Sequence, residues 1–227
     1  MQLIADTEML HRLIDEYGLG VMLNGLEGEE IKLFRFQKGD FICRGGEPID
    51  RLYVLVQGRL RVFRTLSNGK SLLLRFCNPP AMIGDLEFVT GRQAGSFVEA
   101  VTGGQVIAID YEVLRAKHGR NPDFLQFLLR HLAHKLDTVS HSTSVNRLFP
   151  LEQRFANYLM SSQAAASSEF HASNLQHVAE LLGTSYRHLN RIIAKFAAEG
   201  VVERKRGKIV IVDSEKLRAR SSDDLYK

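Results

Sequence analysis

The hydrophobic pattern changes period twice along the chain, and the changes divide it. Between Glu30 and Asp110 apolar residues come in short runs, broken by glycine or turn residues at intervals of roughly ten. The runs are Phe34-Arg-Phe36, Leu52 to Val56, Leu60-Arg-Val-Phe63, Leu72 to Phe76, Phe97 to Val101 and Val106 to Ile109. Their length and spacing predict the strands of a sandwich or barrel. Ser67-Asn68-Gly69-Lys70 separates two of them, and Asn-Gly favours the positive φ angles of a tight type I′ hairpin. Ahead of the β region, Leu10, Leu13, Ile14 and Tyr17 lie at helical spacing within Thr7 to Leu19, predicting an amphipathic helix packed on the barrel.

After Asn121-Pro122 the period lengthens. Leu125, Leu129, Leu132, Leu136 and Val139 recur at steps of four, three, four and three, which is a heptad seam. Phe124, Phe127, Leu128 and His131 form a flanking stripe. A long helix with two apolar stripes can turn one to its own barrel and the other to a second copy, so a homodimer is expected. A monomer that buries both stripes is the alternative. His131 and His134 share this helix without a third ligand, so no metal site is expected there. Phe149-Pro150 interrupts the pattern and starts another helix, Leu151 to Met160, because proline is favoured in a first turn. Ser161 to Ser168, rich in Ala and Ser, reads as a connection.

The third pattern carries the chemistry. Leu175, Val178, Ala179, Leu181 and Leu182 give one helix a buried face, and Leu189, Ile192, Ile193 and Phe196 give the next its own, with Gly183 in the turn between. This is the spacing of a helix-turn-helix, whose second helix enters the major groove of double-stranded DNA. Ser185 is placed to cap that helix. Its outward face holds Tyr186, Arg187, His188, Asn190 and Arg191. Arginine can fork onto guanine O6 and N7 and asparagine onto adenine N6 and N7, so Arg187, Asn190 and Arg191 are expected to read bases. Ser185, Tyr186 and His188 suit phosphate or ring contacts. After Gly200, Val201 to Val212 reads as strand, basic turn and strand, a wing whose Arg204, Lys205, Arg206 and Lys208 would lie near phosphates.

Composition narrows the picture further. The chain has 227 residues, 44% of them apolar and 25% charged, which is ordinary for a globular protein. No apolar run approaches the ~18 residues of a membrane span, and Met1 to Arg12 lacks the apolar centre of a signal peptide. A cytoplasmic protein with no membrane partner is expected. The net charge is only +4, yet Thr184 to Lys208 holds seven Lys or Arg against two Glu, an excess of +5. Concentrated positive charge is the footprint of a nucleic-acid contact. Cys43 and Cys77 read as packing residues, with a redox-sensing pair as the alternative.

Four stretches carry a family resemblance: Lys38-Gly-Asp-Phe-Ile-Cys-Arg-Gly-Gly-Glu-Pro48, Leu52-Tyr-Val-Leu-Val-Gln-Gly58, Ile83-Gly-Asp-Leu86 and the helix-turn-helix from Leu175 to Phe196. With them, the order of parts from Ile31 to Asp213 resembles the cyclic AMP receptor protein and fumarate-nitrate regulator (Crp/Fnr) family of bacterial transcription regulators. Ser185-Tyr-Arg-His-Leu189 also resembles the YeiL-like subgroup. The resemblance implies an α+β chain in four parts: a jelly-roll, cyclic-nucleotide-binding-like sensor at 1–120, a dimerisation helix at 121–148, a winged helix-turn-helix at 149–213 and a tail at 214–227. It also implies an effector pocket at Gly84, Asp85, Leu86 and Arg92, and a contact with RNA polymerase through the loop from Ser161 to Phe170.

Cyclic-nucleotide-binding members of the family carry Gly-Glu-Leu and, about ten residues later, Arg-Ser or Arg-Ala, for ribose and phosphate. Here Gly84-Asp85-Leu86 leads to Ala94-Gly95. Asp85 is a methylene shorter than glutamate, and a phosphate would lack a guanidinium partner unless Arg92 moved in. The effector is therefore expected to be an unidentified small molecule and not cyclic AMP. Two cysteines cannot supply the four ligands of an iron-sulfur cluster. No nucleophile-base pairing, metal triad or phosphate loop of known spacing points to an enzyme. The competing reading is a ligand-binding regulatory subunit acting on a protein partner, with the C-terminal helices as its interaction module.

Overall fold

A computed structural model describes residues 1–26, 28–67, 69, 71–162, 169–171, 175–206 and 208–221. The chain divides into two compact units. The first comprises Met1–Val62 and Cys77–Asp137, the second Phe63–Phe76 and Thr138–Lys227.

The β region opens with β1 (Gln2–Ile4), followed by α1 (Thr7–Glu16) and α2 (Gly20–Leu23). Eight strands follow: β2 (Ile31–Phe36), β3 (Phe41–Cys43), β4 (Arg51–Gln57), β5 (Leu60–Thr65), β6 (Ser71–Cys77), β7 (Ala81–Ile83), β8 (Phe97–Ala100) and β9 (Gly104–Asp110). The short helix α3 (Asp85–Thr90) lies between β7 and β8. One sheet has the order β1-β2-β9-β4-β7, the other β3-β8-β5-β6. Each sheet alternates strands from the two ends of the region, which is the jelly-roll arrangement. The expected strands are present. β1, β3 and β7 were not expected, because three residues are too few to show a period. β1 is recruited by pairing, with Leu3 opposite Phe34. In the β5–β6 turn, Gly69 has φ +76° and its N–H donates to the Leu66 carbonyl. Asn68 and Lys70 of the predicted turn lie outside the described residues.

The core of the first unit is closed by helices. Leu10 and Leu13 of α1 join Leu33, Leu52, Val54, Ile107 and Ile109 in one apolar cluster. After β9 come α4 (Tyr111–His118) and the long α5 (Pro122–Leu148). Asn121 starts α5, its side-chain oxygen accepting from the N–H groups of Asp123 and Phe124 at 2.9 and 3.3 Å. Phe124 and Leu128 of α5 are buried in the same cluster.

The second unit continues with α6 (Leu151–Ser162), β10 (Glu169–His171), α7 (Leu175–Leu181), α8 (Tyr186–Ala198), β11 (Val202–Lys205), β12 (Lys208–Ile211) and α9 (Ser214–Arg220). Strand order β10-β12-β11 makes the wing three-stranded rather than a bare hairpin, with Phe170 opposite Ile209. The stretch 214–227, set apart as a tail, begins with a helix: Asp213 caps α9, and Leu217 is buried. Each such buried leucine contributes about 1.5–3 kcal/mol, enough to hold a two-turn helix on a core.

Candidate nucleic-acid interface

Helix α8 is aligned by its ends and its inner face. At its start Ser185 has an extended backbone, and its hydroxyl accepts from the His188 N–H at 3.2 Å. Gly183 takes φ +63° in the turn after α7, where its N–H donates to the Glu180 carbonyl and that of Thr184 to the Ala179 carbonyl, both at 2.9 Å. The Arg154 guanidinium of α6 donates to the Leu182 carbonyl in the same turn. Leu189, Ile192, Ile193 and Phe196 are buried, as the periodicity predicts, and Phe196 meets the Phe155 ring of α6 at 5.9 Å. One face of α8 is thereby sealed, and the opposite face is left to solvent.

That open face carries Tyr186, Arg187 and Arg191, all exposed, with Ser185 at its N-terminal end. His188 is half-buried beside Thr184, its Nδ1 3.4 Å from the threonine hydroxyl. Asn190 is half-buried and engaged twice. Its amide nitrogen donates to the Tyr186 carbonyl at 3.0 Å, and its oxygen accepts from Arg204 of β11 at 3.2 Å. Helix and wing are thus joined by a polar contact. On the wing Arg204, Lys205 and Arg206 are exposed and Lys208 half-buried. Gly207 of the turn lies outside the described residues.

The local charge is less concentrated than a count suggests. Lys195 turns away to Glu152 of α6 at 2.7 Å, and Lys205 is paired with Glu203 at 2.9 Å. Among the described residues of α8 and the wing, Arg187, Arg191, Arg204 and Arg206 are exposed cations with no carboxylate partner. An anionic groove lined by backbone phosphates fits this surface in sign, and guanidinium groups fit base edges in shape.

The seam of α5 is only partly a free stripe. Leu125, Leu129 and Leu136 are 39, 65 and 72% exposed. Leu132 instead packs partly against the β-domain core, together with Phe127. The Val139 side chain lies outside the described ones.

The expected effector residues do not converge. Gly84 and Asp85 are buried, whereas Leu86 is 53% exposed and Arg92 is also exposed. Gly84 sits at φ +91°, and a Cβ there would lie 2.7 Å from the Arg51 carbonyl oxygen. The Tyr111 hydroxyl donates to the Gly84 carbonyl at 2.5 Å. Asp85, 1% exposed, opens α3 and forms an ion pair with Lys135 of α5; among the described residues its second oxygen has no partner. Sequence reasoning did not find Lys135, because fifty residues separate the pair and one lysine on a helix carries no periodic signal. Nearby Glu87 accepts from the Gly95 N–H at 3.2 Å.

Cys77 is buried and Cys43 half-buried, both as free thiols. Burial, reinforced by Glu87, pushes the Cys43 thiol up to about 12, which keeps it protonated and suits a packing role. Among the described residues no group of three His, Cys, Asp or Glu is placed to hold a metal ion, and no helix is long and apolar enough to cross a membrane.

Comparison with known proteins agrees with this layout. Residues 33–121 match the cyclic nucleotide-binding domain and residues 153–220 the Crp-like helix-turn-helix domain. The chain is 31% identical over 182 residues to the regulatory protein YeiL of Escherichia coli O157:H7, covering 80% of this chain and 82% of that one. It is 26% identical over 197 residues to the CRP-like cAMP-activated global transcriptional regulator of Mycobacterium tuberculosis, covering 82 and 86%. Among solved structures, a protein of Eubacterium rectale assigned to the Crp/Fnr family as a transcriptional regulator superposes with a TM-score of 0.75 at 19% identity, over 95% of this chain and 94% of that one. A Crp/Fnr-family transcriptional regulator of Thermus thermophilus superposes with a TM-score of 0.67 at 22% identity, over 83 and 97%. With its cyclic-nucleotide-binding β domain joined to a Crp-like helix-turn-helix, the chain belongs to the Crp/Fnr family of transcription regulators.

Proposed function

We propose that this regulator binds DNA sequence-specifically as a homodimer, under the control of a small molecule other than cyclic AMP received by its jelly-roll domain. The observation that carries the DNA-reading role is the exposed Arg187 and Arg191 pair, one turn apart on a helix sealed on its other side and flanked by a basic wing. Arg187 and Arg191 are proposed to meet base edges. Ser185, Tyr186 and His188 are proposed to meet the backbone at the helix N-terminus, with Arg204, Lys205, Arg206 and Lys208 doing so from the wing.

Dimerisation is supported by the exposed leucines of α5 at heptad spacing, since single-chain proteins rarely leave such a row to water. Two copies related by a two-fold axis would present recognition helices to half-sites about 34 Å apart, one DNA turn. A signal that favours one mutual angle of the α5 helices would favour DNA binding by shifting the population toward it. RNA polymerase is the proposed partner of Ser161 to Phe170, of which residues 163–168 lie outside the described ones.

The M. tuberculosis relative is cAMP-activated by its name. Against carrying that effector over, Asp85 is already committed to Lys135, and the Gly95 amide to Glu87. A ribose hydroxyl would find one Asp85 oxygen already held by Lys135, and a phosphate near the Gly95 amide would meet the like charge of the Glu87 carboxylate. Selection of bound duplexes from a random pool is the test of DNA reading. Recovery of a palindrome is expected, and no enrichment would favour the regulatory-subunit reading. Calorimetric titration with cyclic AMP is expected to show no saturable heat, and saturation would overturn the effector assignment.

A further inference from the structure

We infer that Asn190 is a positioning residue that holds Arg204 of the wing against the recognition helix, and that it does not read a base. This rests on the DNA-reading function proposed above. Asn190 lies on the second turn of α8, one turn beyond Tyr186 and beside Arg191, where residue type alone suggests a bidentate contact with adenine. That contact needs the amide oxygen and nitrogen together, turned away from the protein. Each atom already has a protein partner that orients the amide, one donor of the nitrogen on the Tyr186 carbonyl and one lone pair of the oxygen on the Arg204 guanidinium. The orientation follows from the partners, since a guanidinium only donates and a carbonyl only accepts.

The geometry explains what Arg204 gains. Arg204 is exposed on β11, and a long side chain on an edge strand samples many rotamers in water. Its neighbour Lys205 is held by Glu203 on the same strand, which takes part of its charge from the wing. Arg204 is held by a neutral amide, so it is ordered and keeps its full charge. Among the described residues one of its five N–H donors is engaged, on Asn190 at 3.2 Å, which leaves others to meet a phosphate. Asn190 thereby fixes the position of one backbone contact relative to the bases read by Arg187 and Arg191. A contact of this kind sets the orientation of the recognition helix on the duplex and carries no sequence information of its own.

The test uses the full chain, random-pool selection and anisotropy titrations on the recovered duplex at several salt concentrations. Arg204→Ala is expected to weaken binding to all sequences alike and to lower the salt slope by about 1 per chain. Asn190→Ala should lose part of that slope and, in the Arg204→Ala background, weaken binding no further. Asn190→Asp keeps an acceptor for Arg204 but removes the donor an adenine contact needs, and it is expected to recover the same motif. A motif that changes at one base pair in Asn190→Asp, for instance toward cytosine, would overturn the inference. So would a loss for Asn190→Ala that is undiminished in the Arg204→Ala background, or no loss in the unmodified one. If the unmodified chain enriches no motif, DNA reading itself fails, and the positioning role falls with it.

Discussion

Replacing Lys135 with methionine isolates the buried ion pair between α3 and α5. The substitution keeps an unbranched apolar stem of similar reach and removes only the ammonium. Asp85 is 1% exposed, and its second oxygen already lacks a partner among the described residues, so the carboxylate would be left with none of them. Breaking a fully buried pair from one side costs about 3–5 kcal/mol. Lys135 is 20% exposed, which lets water share the work, so about 3 kcal/mol is expected here. Asp85→Asn removes the charge from the buried side instead. The ammonium left behind reaches water, and a loss of about 1–2 kcal/mol follows from the missing hydrogen bond. Combining the two should cost little more than Asp85→Asn alone. Urea unfolding followed by circular dichroism reads the difference. With a slope near 2 kcal/mol/M, the Lys135→Met midpoint should fall by about 1.5 M in the transition of the β domain. A Lys135→Met shift no larger than that of exposed Lys38→Met would refute the reasoning, because it would mean that Asp85 gains nothing from its partner.

Other consequences can be checked separately. Arg187→Ala and Arg191→Ala should each cost about 1–3 kcal/mol in binding and relax selection at one base pair, measured by titration against single-substituted duplexes. Leu129→Asp places a charge in the exposed seam of α5; sedimentation equilibrium should show monomers, with DNA affinity down by about 10²-fold or more as the second half-site is lost. His118 is buried against Phe124, neither ring nitrogen has a partner among the described residues, and burial, aided by Lys117, holds its pKa below the ordinary 6.5. Below 6.5 the unfolded chain takes up a proton that the folded chain resists, so this histidine's contribution is complete above 6.5 and lost as pH falls toward its depressed value. Urea midpoints between pH 7.5 and 5.5 should drop in the unmodified chain and drop less in His118→Leu.

The helix-turn-helix was legible almost residue by residue. Its signal is local: Leu189, Ile192, Ile193 and Phe196 repeat at helical spacing, Ser185 caps and Gly183 turns, all within a dozen or so residues. The long strands were legible for the same reason. β3, β7 and β10 were not, because a strand of three residues exists only through its neighbours. The dimerisation seam was read as one stripe, yet Leu132 belongs partly to the β-domain core, since a real helix drifts relative to a strict seven-residue repeat.

Periodicity, capping residues and the clustering of arginines are properties of neighbouring residues, so the sequence by itself determined the class of fold, the recognition helix and its capacity to meet DNA. It also showed, through Asp85 and Ala94-Gly95, that the nucleotide motif is altered. Which side chains are already spoken for was decided only by tertiary structure. Asp85 meets a lysine fifty residues away, and Asn190 meets an arginine on the wing. A hydrogen bond depends on distances between atoms that folding alone brings together, and residue type states only what each group is able to form.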